Sequence, residues 1–223
     1  MNGVANSSLA FMVEIWPVLW LGLGATLILW VVCAILGFSL GLPLALGRLE
    51  RSAYLRLPLD FLFEVFRDTP VLVQLIWFYY VFPILAGVHV SAFVAAILGL
   101  ALNTMAYSSE IFRVGIINVP SGLREAGAAL GMKRSTVFRR IIMPHAISHM
   151  IPAITNRAVE LAKVTSLASV LSVHELMYQG RLLNATYYRP LETFTAVAVV
   201  YLIVITPGTM LAAHFERRVS CFA

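Results

Sequence analysis

Glu160 and Lys163 stand three residues apart in a largely apolar stretch, a spacing that puts opposite charges on one helix face and permits an ion pair. Arg157 lies three residues earlier, and Thr165 and Ser166 follow with hydroxyl groups. Such a set can bind a polar solute through charge and hydrogen bonds, and Asn103 with Tyr107 offers a second polar face. A structural reading stands beside it, in which Glu160 pairs with Lys163 or Lys163 extends its charge to the membrane surface; Arg157 carries the same two readings. His145 and His149 lie one helical turn apart, but no Cys or nearby acid completes a ligand set, so no metal site is expected. Cys33 and Cys221 form no CxxC motif and are expected to be bystanders. The chain has no GxxxxGK[ST] phosphate loop, so it does not hydrolyse ATP by that route.

The elements that must position these groups follow from composition. Of 223 residues, 60% are hydrophobic and 12% charged; a soluble domain has about 45–50% and 25%. Runs such as "VLWLGLGATLILWVVCAILGFSLGLPLAL" exceed the roughly 20 residues that cross a bilayer as helix. The expected fold is an all-α polytopic membrane protein, a single domain over 1–223 with five spans near 16–46, 69–87, 90–112, 145–170 and 194–215. Residues 1–14 hold no Lys or Arg and the apolar run after them is long, so a cleaved secretory leader is not expected. "SLASVLSV" can continue the fourth helix, and from His174 onward the chain reads as an amphipathic, tyrosine-rich outer segment.

Lys and Arg decide the orientation. Arg48, Arg51, Arg56 and Arg67 lie between spans one and two, and six more between three and four. With Arg217 and Arg218 these make twelve of the sixteen basic residues, all on one side. The bias places the N-terminus outside and the C-terminus in the cytoplasm. Topology thus accounts for the net charge of +5, and no nucleic-acid partner is expected.

The cytoplasmic stretch 121–144 reads as two helical pieces. Ser121 can cap the first, with Glu125 in its opening turns, Ala126, Ala129 and Leu130 on nearby faces, and Gly127 and Gly131 leaving backbone open to close approach. Gly131 offers a turn, and Ser135 or Thr136 can cap the second piece, which runs through Ile141 to Pro144. The segment suits either an interfacial anchor or a docking helix, since Ala and Gly offer little apolar area to a lipid surface. Asp68 and Thr69 can cap the second span, with Pro70 in its first turn; Arg67 and Asp68 also suit a gate. Glu110 and Arg113, three apart, can brace the frame.

"EAGAALGMKRSTVFRRIIMP" resembles the cytoplasmic signature of the permease subunits of ATP-binding-cassette importers. That pattern begins Glu-Ala-Ala, places Gly six residues after the Glu and ends Ile-x-x-Pro; Glu125, Ala126, Gly131, Ile141 and Pro144 match, and Gly127 departs from it. "EVFRDTPVLVQLIWFYY", "AYSSEIFRVGI" and "LAKVTSLASVLSVHEL" resemble the polar amino-acid uptake subgroup, except that Val164 stands where that subgroup often has Asp or Asn.

The resemblance implies a five-span type I importer permease fold with a cytoplasmic coupling helix, in which Glu125, Ala126, Gly127, Gly131, Ile141 and Pro144 transmit movement from an ATPase. It implies a second permease subunit, the same or homologous, two cytoplasmic ATPases that bind the ATP and Mg, and an extracytoplasmic binding protein, with no cofactor on this chain. The setting it implies is a bacterial inner membrane. For an amino-acid cargo, Arg157 or Lys163 suits the carboxylate and Glu160 the ammonium, with Asn103, Tyr107, Thr165 and Ser166 nearby. The aromatic second span and "VLSVHEL" lean towards a glutamate- or aspartate-like substrate. The alternative is an ion-coupled secondary transporter using Glu160, although five spans do not divide into inverted halves. A mere membrane anchor leaves the polar residues of the fourth span without a purpose.

Overall fold

The computed structural model of the protein describes residues 2–220, with side chains over 11–214 apart from Arg124 and Ala212. Cys221 and the side chains of Arg217 and Arg218 lie outside the described residues. The described chain is helical: α1 (Asn2–Arg48), α2 (Ala53–Asp68), α3 (Val71–Ile76), a π-helical turn (Trp77–Val81) and α4 (Phe82–Ala86). Then come α5 (Ala92–Ile117), α6 (Ser121–Ala129), α7 (Arg134–Val137), a second π-helical turn (Phe138–Ile142) and α8 (Met143–Val164). A 3₁₀ stretch (Thr165–Leu171), α9 (Leu176–Tyr187) and α10 (Pro190–Ser220) complete it.

Among the described residues, three segments are long and apolar enough to cross a membrane: Phe11–Arg48, Ala92–Ile117 and Pro190–Leu211. A fourth is α2 together with Val71–Ala86, if this pair, bent by 104°, counts as one broken span. α8 has the length, but His145, His149, Arg157, Glu160 and Lys163 keep it from being apolar enough to join them. The protein is therefore an all-α polytopic membrane protein with three or four spans identifiable by length and composition.

The bend has a local cause. Pro70 has no N–H and forces extended backbone on the residue before it, and Thr69 sits at φ −85°, ψ 136°. The expectation that Asp68 and Thr69 cap the second span is corrected here: Asp68 ends α2, Thr69 follows it, and Pro70 takes the N-cap position of α3. The region between the first two expected spans is itself mostly helix, and Leu59, Phe63 and Phe66, four and three residues apart, pack α2 onto its neighbours. Each π-helical turn precedes a proline, Pro83 or Pro144, with Phe82 N–H bonding Trp77 O and Met143 N–H bonding Phe138 O. Widening the turn relieves the clash between a proline ring and the carbonyl four residues back.

Small residues bring α1 and α5 together. A Cβ on Gly37 would lie 2.6 Å from Thr104, and one on Gly41 would lie 1.9 Å from the Ser108 hydroxyl oxygen. Gly37 and Gly41 have the four-residue spacing that lets membrane helices approach closely, and Ser108 Oγ donates to Gly37 O at 2.9 Å. Beside this contact, Leu29, Cys33, Leu75, Leu100, Leu161 and Leu171 form one buried core that joins α1, α3, α5, α8 and the 3₁₀ stretch.

Candidate functional site

α6 stands out from the bundle as a nine-residue helix whose inner side is fixed by one glycine. Gly127 is buried, and a Cβ there would lie 2.8 Å from Val137 Cγ2 and 3.2 Å from Ile141 Cδ1. Its close approach is thus within the chain, not to an outside surface. Glu125, Ala126, Ala128, Ala129 and Leu130 are exposed. The helix ends in a Schellman motif: Gly131 is left-handed at φ +67°, its N–H bonds Ala128 O, and Met132 N–H bonds Gly127 O.

Both expected caps in this segment are corrected. Ser121 is already helical, with Pro120 before it at φ −51°, ψ 133°, so the proline's fixed φ sets the turn into α6. Lys133 precedes α7 and its carbonyl accepts the N–H groups of Thr136 and Val137, leaving Ser135 and Thr136 inside the helix. Ile141 lies in the π-helical turn and packs into the core under α6, and Pro144 is exposed just beyond it.

The polar residues of α8 do not pair as their spacing first suggests. Glu160 accepts from Arg157 Nη1 at 2.9 Å, one turn inward, and makes no ion pair with Lys163. Arg157 is 5% exposed. Its Nη2 donates to Asn103 Oδ1 at 2.7 Å, with Thr104 Oγ1 at 3.4 Å, and its guanidinium lies over the Tyr107 ring at 4.2 Å. Burying a cation is costly unless it is paired and hydrogen-bonded; both terminal nitrogens are held in this way, while Nε is buried without a hydrogen-bond partner among the described residues. Thr165 Oγ1 and Ser166 Oγ donate to carbonyls of their own helix, those of Ala162 and Lys163. Asn156, Glu160 and Lys163 remain as an exposed polar stripe at helical spacing. Arg157, Asn103 and Thr165 lie behind it.

At the other end of α5, Glu110 and Arg113 pair at 2.6 Å, as their spacing predicts. The cluster is larger than the sequence suggested: Arg48 reaches Asp60 at 2.8 Å and Glu110 at 3.0 Å, and stacks 3.5 Å above the Phe63 ring. Arg67 and Asp68 sit exposed at the bend, 3.8 Å apart. His145 and His149 meet edge to face at 4.8 Å, and no group of three metal-binding side chains occurs among the described residues.

Glu175 is a further polar residue that spacing alone does not single out. It is fully buried and caps α9, accepting from the N–H groups of Met177 at 2.9 Å and Tyr178 at 2.7 Å. Tyr201 of α10 donates to it at 2.8 Å and Thr26 of α1 at 3.4 Å, so one carboxylate holds three helices together. Burial pushes its carboxyl above the ordinary range against the pull of those four donors. Its signal, an acid directly ahead of an amphipathic run, reads only as a helix cap without the tertiary partners.

Residues 37–220 match the family model described as binding-protein-dependent transport system inner membrane component. The chain is 39% identical over 200 residues to the octopine transport system permease protein OccM of Rhizobium meliloti, covering 86% of this chain and 82% of that one. It is 36% identical over 221 residues to the histidine/lysine/arginine/ornithine transport system permease protein HisM of Escherichia coli K12, covering 92% and 93%. Its fold matches a chain from the crystal structure of an amino acid ABC transporter with histidines at a TM-score of 0.88 and 32% identity, covering 94% and 97%.

Proposed function

Since the chain belongs to the binding-protein-dependent transport inner membrane family and is the permease subunit of an ATP-binding-cassette importer, we propose that α6 is the joint through which a separate ATPase moves it. The observation that carries this reading is the geometry of α6: Glu125 and three alanines face outward while Gly127 and the glycine cap lock the helix to its base. A small-residue face with one carboxylate suits a groove in another protein. Glu125 and Ala126 make the contact, Gly127, Gly131 and Ile141 hold the helix, and Pro144 with the π-helical turn leads the chain into the bundle.

The assembly is a pair of permease subunits, two ATPases carrying ATP and Mg, and an external binding protein in a bacterial inner membrane. α8 with its 3₁₀ extension counts as a span and the bent pair α2 and Val71–Ala86 as another, which makes five, with the N-terminus outside. The cargo is a polar amino acid, and its path runs along Asn156, Glu160 and Lys163, with Lys163 offered to the carboxylate. The sequence leans towards a glutamate- or aspartate-like cargo, whereas the names of the relatives, which include histidine, lysine, arginine and ornithine, support a basic amino acid instead. The exposed Glu160 is placed to receive a second positive charge. Arg67 and Asp68 at the bend serve as the gate.

Reconstitution with the ATPase and binding protein tests this directly. ATP-dependent uptake that arginine or histidine competes for more strongly than glutamate is the expected result. Uptake driven by an ion gradient without nucleotide overturns it in favour of a secondary transporter.

A further inference from the structure

The carbonyl of Phe66 is one turn before Pro70, so its natural helical donor, the N–H of residue 70, does not exist. A carbonyl left bare inside a membrane protein is costly. Two side-chain amides replace the missing donor. Asn103 Nδ2 of α5 reaches Phe66 O at 3.0 Å, and Gln74 Nε2 of α3 reaches it at 2.9 Å while also bonding Thr69 O at 3.0 Å. Gln74 and Asn103 are each only 6% exposed.

An amide can present either its nitrogen or its oxygen, and only the nitrogen serves a carbonyl. Asn103 is held the right way round by Arg157, whose Nη2 occupies its oxygen at 2.7 Å. A flipped amide would set NH₂ against guanidinium and oxygen against carbonyl, two repulsions in place of two bonds. Arg157 is in turn held by Glu160, the one exposed member of the chain. A continuous line of hydrogen bonds thus runs from the exposed stripe of α8, through α5, to both sides of the 104° bend.

We infer that Arg157 is a positioning residue for the broken helix, acting through Asn103 on the Phe66 carbonyl, so that the α8 face and the bend change conformation together during transport. This rests on the permease reading. It assigns Arg157 no contact with the cargo: its side chain is buried and its two terminal nitrogens are spent on Glu160 and Asn103. Coupling between distant sites needs an element with two arrangements that both sites bias, and the bend is that element here.

The test uses the whole importer, reconstituted with its ATPase and binding protein, and begins with nucleotide-dependent uptake by the unaltered chain; failure at that stage strikes the permease reading and not this one. Arg157→Met and Gln74→Leu change residues that share no contact but lie at opposite ends of the line. Each is expected to lower the maximal uptake rate on the order of 10-fold, the scale of a hydrogen bond to a charged or buried group, with KM little changed. Both changes bear on the one Phe66 carbonyl, so the double variant should depart from the product of the two single losses. Multiplicative losses, roughly 100-fold together, show two independent structural defects and overturn the inference. So does a rise in KM on Arg157→Met with the maximal rate retained, the signature of a cargo contact. Where Met at 157 prevents assembly, Arg157→Lys, which keeps the charge and loses the fork, goes through the same cycle with the same outcomes.

Discussion

Arg157 Nη2 donates to Asn103 Oδ1 at 2.7 Å, a bond between a buried cation on α8 and a neutral amide on α5. Asn103→Leu removes this bond and the one to Phe66 O. Hydrogen bonds to charged groups contribute about 1.5–3 kcal/mol, so a loss on that scale is expected in the unfolding free energy. Thermal unfolding of the detergent-purified complex reads it as a lowered midpoint. Asn103→Asp keeps an acceptor for Arg157 and should fall between wild type and the Leu variant.

Glu125 is exposed on α6, away from the bundle. Glu125→Arg should leave membrane insertion intact and reduce substrate-stimulated ATP hydrolysis on the order of 10-fold, the scale of a docking hot spot. Normal assembly and uptake would remove the carboxylate from the proposed joint.

Gly127 stands where the resembling family has Ala, and Val137 fills the space a methyl would need. Gly127→Ala should destabilise by about 1–3 kcal/mol through overpacking. Val137→Ala in the same chain should recover part of that loss. A double variant less stable than either single one contradicts this pairing.

Lys163 is exposed on the α8 stripe and makes no ion pair among the described residues. Lys163→Met should raise the KM for uptake on the order of 10-fold with little change in maximal rate, as loss of uniform binding does. An unchanged KM would take Lys163 out of the cargo path.

Glu175 gives a pH prediction. Burial raises its carboxyl above the unfolded value, so the folded state binds the proton more tightly than the unfolded state. Its contribution is full below the ordinary carboxylate pKa and is lost as pH rises through the raised folded value. The unfolding midpoint of wild type should therefore fall relative to Glu175→Gln across that interval. Glu175→Leu, which strands Tyr201 and two N–H groups, should be the least stable at every pH.

Much of the fold was legible because membrane crossing is a matter of length and apolarity, readable one segment at a time. The stretches 16–46 and 194–215 lie within α1 and α10, and α5 holds all of the third but its first two residues. The Gly131 turn was legible too, because a left-handed residue after a short helix favours glycine. The caps differ from expectation for an equally local reason: Ser121, Ser135, Thr136 and Thr69 are good capping types, but a neighbouring Pro120 or Pro70, or Lys133 one step earlier, sets the boundary instead.

The sequence by itself determined an all-helical membrane chain with an α6 segment shaped like a known signature, since hydropathy and short-range spacing need no partner from elsewhere. Only the tertiary structure decided which charges meet. Glu160 is equally spaced from Arg157 and Lys163, and nothing local chooses between them. The choice falls to Arg157 because Asn103, 54 residues away in the chain, and the Tyr107 ring make its burial tolerable. Lys163 is left on the exposed stripe without an ion pair among the described residues, and a pair drawn on one helix becomes a line of bonds joining four.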